Sequence, residues 1–159
     1  MGFPDSLLLM TRPLTLFSLF VAVCLGSAKG AEDTLTFFGW SDQHVKTDGN
    51  VTRLLPFVAA MNQMPGTPYP DKLSGNVAEP AFVIGAGDVT EWPTNAAMRG
   101  YDSLLENKLK WKAYDVLGNH DDGGRAFSPT MLNWSKRRHG GLSYVFEAFG
   151  VKFIALWSK

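Results

Sequence analysis

Ala81-Phe82-Val83-Ile84-Gly85-Ala86 runs straight into Gly87-Asp88. A short unbroken apolar run of this kind reads as a β-strand covered on both faces, the habit of strands in parallel sheets. It ends on a glycine, which tolerates a sharp turn, and then on a carboxylate. The same construction recurs on either side. Upstream, Thr34-Leu35-Thr36-Phe37-Phe38-Gly39-Trp40 is rich in β-branched and aromatic residues and gives way to Ser41-Asp42-Gln43-His44. Downstream, Ala113-Tyr114-Asp115-Val116-Leu117 gives way to Gly118-Asn119-His120-Asp121.

The segments between these runs set the topology. Val51 to Met61 has apolar residues at near-helical spacing, with Pro56 arguing against a regular first turn. Met64 to Glu79 holds Pro65, Gly66, Pro68, Pro70 and Gly75 and reads as an irregular connection. Thr94 to Trp111 reads as a helix. Strand, helix, strand, helix, strand predicts parallel pairing through right-handed crossovers. Ser143-Tyr144-Val145-Phe146-Glu147-Ala148 and Val151-Lys152-Phe153-Ile154-Ala155-Leu156-Trp157 flank Phe149-Gly150 and predict an antiparallel hairpin. The expected class is α/β, a mixed sheet of parallel βαβ units followed by a hairpin.

In an open α/β sheet ligands gather at the carboxyl ends of the strands, so the three polar groups are predicted to converge although they lie far apart along the chain. Asp42 and His44 sit two apart, and in an extended stretch their side chains point the same way and can grip one ion. Asp88 has two oxygens with which to bridge two ions, and Asn119 offers a neutral oxygen. Singly, Asp88 reads as a helix cap and Asn119 as a turn residue; at three consecutive strand ends they read as a metal site. Mixed imidazole and carboxylate ligation suits zinc, iron or manganese better than magnesium or calcium. Two such ions about 3.5 to 4 Å apart can hold a phosphoryl oxygen, activate a water and steady the leaving oxygen. Gly85-Ala86-Gly87 is not a dinucleotide loop, because the third glycine of that fingerprint would fall at Thr90.

Asp42-x-His44, Gly87-Asp88 and Gly118-Asn119-His120-Asp121, each after a strand and in this order, resemble the first three motifs of the calcineurin-like metallophosphoesterases. Tyr144 to Leu156 is similar to the hairpin that follows them, so the resemblance spans residues 35 to 159. It implies a β-sandwich of two sheets flanked by helices. It implies that Asp42 and His44 bind a first metal, that Asp88 bridges two and that Asn119 binds the second. His120 would be catalytic rather than a ligand, acting on the leaving group as a general acid or stabilising the transferring phosphoryl group, with Asp121 orienting it. The implied reaction is hydrolysis of a phosphate mono- or diester at two ions of zinc, iron or manganese. Purple acid phosphatases, a related group, place a tyrosine where this chain has Glu91 and lack the counterpart of His44, so an iron-tyrosinate centre is not expected. The family's three later histidines follow the hairpin, whereas His139 precedes it and reads as a solvated loop residue. The chain is therefore expected to be the N-terminal part of such an enzyme and to turn over little alone. The rival from another class is a secreted, non-catalytic binding module on a degenerate metallophosphoesterase scaffold.

Composition limits the rest. With 45% hydrophobic and 19% charged residues the chain is not of disordered type. Fifteen Lys+Arg against 15 Asp+Glu leave no basic surplus, so no nucleic-acid-binding surface is expected, and Lys136-Arg137-Arg138 reads as a solvated helix end. At the N-terminus, Arg12, the apolar run Leu14 to Leu25 and Ala28-Lys29-Gly30 form a signal-peptide pattern over residues 1 to 30. That run is shorter than the roughly 20 residues a membrane span needs. A secreted or periplasmic domain of residues 31–159 is expected, without Cys24 and hence without disulfides. Asn50-Val51-Thr52 and Asn133-Trp134-Ser135 match the glycosylation acceptor pattern.

Overall fold

The computed structural model describes residues 34–71 and 73–158; the expected leader at 1–30 lies outside the described residues. In chain order the elements are β1 (Phe38–Trp40), α1 (Leu55–Gln63), β2 (Val83–Ala86), α2 (Asn95–Asn107), β3 (Ala113–Val116), α3 (Thr130–His139), β4 (Tyr144–Ala148) and β5 (Val151–Ala155). The three runs that end on polar groups are neighbours, in the order β1-β2-β3, and both pairings are parallel. β2, the continuous apolar run, takes the middle. No helix among the described residues is long and apolar enough to cross a membrane.

Each helix follows from its local chemistry. A 3-10 turn at Thr52–Leu54 leads directly into α1, which places Pro56 in the first helical turn, where its missing N–H forfeits no bond. Thr94 caps α2, its hydroxyl accepting from the Ala97 amide at 3.0 Å. The helix stops at Asn107, short of the expected Trp111, after burying Ala97, Tyr101, Leu104 and Leu105 along one stripe. α3 ends on Gly140 at φ 82°, a left-handed C-cap that glycine adopts without steric cost.

One expectation about the sheet is corrected. Among the described residues β4 and β5 pair with each other, Val145 opposite Ile154 and Phe146 opposite Phe153, as a sheet of their own rather than as part of one mixed sheet. The reason is aromatic. Phe146 and Phe153 set their rings against Phe82 at 5.2 and 5.1 Å, and Phe146 stacks on Tyr114 at 3.7 Å. The hairpin therefore covers ring surface on the parallel sheet instead of extending its edge. Tyr144 Oη ties it further by donating to the Asp115 carbonyl at 2.9 Å.

On the other face, Val83, Ala113 and Asp115 point into a core with Leu104, Met131 and Trp134. Each large apolar side chain buried there contributes roughly 1.5–3 kcal/mol. Asp115, 0% exposed, accepts from Tyr101 Oη at 2.6 Å and lies 3.6 Å from His139 Nε2 and 3.9 Å from Arg138 Nε. Two further readings are corrected by this cluster. His139 is not a solvated loop histidine: it ends α3, its side chain is 1% exposed, and its ring stacks on Tyr144 at 4.6 Å. Arg138 is not free in solvent either, lying over the Trp134 ring and 3.8 Å from Asp102.

Candidate metal centre

The loops after β1 and β2 keep the direction of the strands. Beyond the last ladder pair, the Asp42 amide donates to the Gly87 carbonyl at 3.0 Å, His44 to Asp88 at 3.0 Å and Val45 to Val89 at 2.9 Å. This prolonged pairing carries Asp42 and His44 alongside Asp88. The third loop is fastened by Asp121, whose carboxylate accepts from the amides of Val89, Thr90 and Gly118 and from the Thr90 hydroxyl, at 2.8–3.0 Å. Arg53 holds the first loop from α1's side, donating to the carbonyls of Gln43 and His44.

These bonds bring the side chains together. His44 Nε2 lies 3.6 Å from Asp42 Oδ1 and 3.9 Å from Asp88 Oδ2. The His44 and His120 rings meet edge to face at 4.7 Å. His44, Asp88 and His120 each present a donor atom within 4.8 Å of the others, a group that could hold a metal ion. Asn119 is exposed and lines a neighbouring cavity of about 400 Å³ with Gly118, Asp122 and Trp157.

The backbone at these residues is unusual. Asp42, His44 and Asp88 have φ of 56°, 44° and 52°; among the described residues the only other non-glycine with positive φ is Phe149, in the hairpin turn. Left-handed geometry costs a side-chain-bearing residue about 1–3 kcal/mol, and such strain clusters where a site demands it. The expected reason for the pairing of Asp42 with His44 is thereby corrected. They share a site not because the stretch is extended but because each is twisted left-handed. Gly87, at φ 102°, makes the expected turn. Gly118 serves space instead, since a Cβ there would overlap the Asp88 carboxylate and amide.

Electrostatics orient the donors. His120 Nδ1 lies 3.0 Å from the Glu91 carbonyl, which can only accept, so the proton sits on Nδ1 and Nε2 remains for whatever enters the cluster. That carbonyl bond raises the His120 pKa; burial opposes it, and the Asp88, Asp121 and Asp42 carboxylates add to it. Asp42 is held below the usual carboxylate range, first by the Ser41 hydroxyl and also by His44 and His120. Asp121 does not orient the His120 ring: its oxygens serve the four donors named above, and the Glu91 carbonyl holds the ring.

Arg53, Thr90 and the Glu91 carbonyl hold the loops and the His120 ring in place, and residue type alone does not single them out. Thr90 and Arg53 sit at no motif position, and a carbonyl is contributed by any residue. No protein-family model matches the chain, and a search of curated proteins finds no match either.

Proposed function

We propose that this protein is a binuclear metallophosphoesterase of the calcineurin-like type, built on a two-sheet sandwich and hydrolysing phosphate mono- or diesters. The observation that carries the reading is the left-handed backbone of Asp42, His44 and Asp88 at two neighbouring strand ends, where His44 and Asp88 form one donor group with His120 and Asp42 lies 3.6 Å from His44. A chain spends conformational energy in this way where the geometry of a site requires it.

The donors fit zinc, iron or manganese: imidazole nitrogens beside carboxylates, with the second ring nitrogen of His120 already engaged by a carbonyl. Asp42, His44 and Asp88 would hold a first ion, and Asp88 with Asn119 would contribute to a second. When bound, such ions supply the Lewis acidity that polarises a phosphoryl oxygen and makes water a nucleophile at neutral pH. The chain's own residues do the rest. Asp88 is fixed by the His120 amide, which donates to its Oδ1 at 3.1 Å. His120, with Nδ1 spent on Glu91, keeps Nε2 to hold or deliver a proton at the leaving oxygen.

The test is hydrolysis of p-nitrophenyl phosphate and of bis(p-nitrophenyl) phosphate by the purified protein. The expected result is slow turnover that EDTA removes and Mn²⁺ or Zn²⁺ restores; turnover unchanged by EDTA contradicts the proposal. A non-catalytic binding module is the second reading, favoured by the exposure of Asn119, which leaves the second ion thinly provided for. Metal binding without hydrolysis of either ester decides for it.

A further inference from the structure

The ligand-type residues at the strand ends do not approach one another equally. Among the described residues one set of side chains brings its donor atoms within 4.8 Å of each other, and it consists of His44, Asp88 and His120. Asp42 is outside it. Asp42 Oδ1 comes within 3.6 Å of His44 Nε2, yet its side chain is 66% exposed, against 27% for His44 and 18% for Asp88. Asn119 is exposed at a neighbouring cavity. A first ion therefore meets two imidazoles and one carboxylate already assembled and still open to solvent. The metallophosphoesterase pattern leaves one of these, His120, out of its ligands.

Each of the three is prepared for a bond to metal. Two ligands at about 2.0–2.2 Å from one ion are at most about 4.4 Å apart, and His44 Nε2 stands 3.9 Å from Asp88 Oδ2. The other oxygen of Asp88, Oδ1, accepts the His120 amide at 3.1 Å, which leaves Oδ2 as a single ligand atom. A metal-bound histidine almost always donates its second ring N–H to a carbonyl, a carboxylate or water, which fixes the tautomer. His120 does this, with Nδ1 on the Glu91 carbonyl at 3.0 Å, so its Nε2 keeps a lone pair. The His44 and His120 rings meet edge to face at 4.7 Å, which brings the two imidazoles to one point. Three protein ligands with the remaining positions open to water is the make-up of a catalytic zinc site, whereas structural sites are closed by four.

We propose that the first ion to enter this protein is held by His44 Nε2, Asp88 Oδ2 and His120 Nε2, one ion per chain, so that His120 is itself a ligand in the one-ion form. Asp42 and Asn119 belong to the form with two ions. The proton role of His120 belongs to that form as well, because a nitrogen bonded to metal has no lone pair left for a proton. The one-ion protein is then a resting state. Only the word resting depends on the hydrolase reading; the ligand set needs no reaction.

The experiment is a calorimetric titration of Zn²⁺ into the full chain, stripped of metal with EDTA and dialysed. One tightly bound ion per chain is expected. His120→Ala and the bulkier His120→Gln are each expected to weaken it about 100-fold or more, since even partners that merely orient a ligand cost 10–100-fold. Asp42→Asn, whose amide tolerates the left-handed φ of 56°, is expected to weaken it less than tenfold. Circular dichroism checks that the variants fold. In the wild type, the ¹⁵N resonance of His120 Nε2 is expected to shift with the first equivalent of zinc, a readout that needs no variant. Two equally tight ions, affinity within threefold of the wild type in both His120 variants, a greater loss in Asp42→Asn than in His120→Ala, or an unmoved His120 resonance overturns the inference. Zinc held through His120 by a protein that hydrolyses neither nitrophenyl ester supports the ligand set and removes the hydrolase. Metal-dependent hydrolysis with an affinity indifferent to His120 overturns the ligand set and leaves the hydrolase standing.

Discussion

Asp88→Asn is expected to lower metal affinity more than about 100-fold and to abolish metal-dependent hydrolysis while the fold persists. Partners that merely orient a ligand cost 10–100-fold when lost, so a direct charged ligand costs more. The amide keeps an oxygen to accept from the His120 N–H, now at 3.1 Å, and asparagine tolerates the left-handed φ of 52° at least as well as aspartate. What disappears is the negative charge facing His44 Nε2 at 3.9 Å. Titration with Zn²⁺ or Mn²⁺ beside circular dichroism separates ligand loss from unfolding. Affinity within threefold of the wild type would remove Asp88 from the site.

Asp115→Ala carries the largest expected effect on stability, a loss of about 3–5 kcal/mol. The carboxylate is wholly buried, and its removal strands the Tyr101 hydroxyl at the sheet and takes from His139 and Arg138 the carboxylate that both face, leaving Arg138 only Asp102. Tyr101→Phe takes away a single hydrogen bond to a charged acceptor and is expected to cost about 1.5–3 kcal/mol. Urea denaturation checks both. Equal losses in the two variants would show that the tyrosine bond alone matters, and that the contacts from α3 contribute nothing.

Much of this was legible in residue order, for identifiable reasons. The parallel strands are short apolar runs bounded by glycine and polar residues, a pattern with few competing readings, and the polar groups that end them supply the donor group His44, Asp88 and His120 with Asp42 beside it, whereas Asn119, expected with them, is exposed at a neighbouring cavity. The hairpin was legible from Phe149-Gly150 between two alternating runs, but its placement was not. Whether Phe146 and Phe153 extend a sheet or cover one depends on Phe82, just before β2, and on Tyr114 in β3. Tertiary partners hid His139 in the same way. Two glycines follow it, which suggests a loop, yet one of them is only the left-handed cap of α3, and the histidine ring finds Tyr144 from the hairpin.

The finer geometry of the site was not legible at all. Asp and His are among the residues that accept positive φ most readily, but most of them do not adopt it, and so the left-handed backbone at Asp42, His44 and Asp88 appears only in three dimensions. Asp121 was visible as the end of a motif, but its four donors come from Val89, Thr90 and Gly118, and only the fold brings the first two to it. Gln43 stands between two ligand-type residues, and that its amide is buried without a partner depends on the side chains packed around it and not on the loop's sequence.

Anomalous diffraction from crystals grown with Zn²⁺, recorded on both sides of the zinc absorption edge, tests the convergence of these groups directly. A strong peak is expected within bonding distance of His44 Nε2 and an Asp88 carboxylate oxygen. A peak elsewhere, or none at saturating zinc, would contradict it.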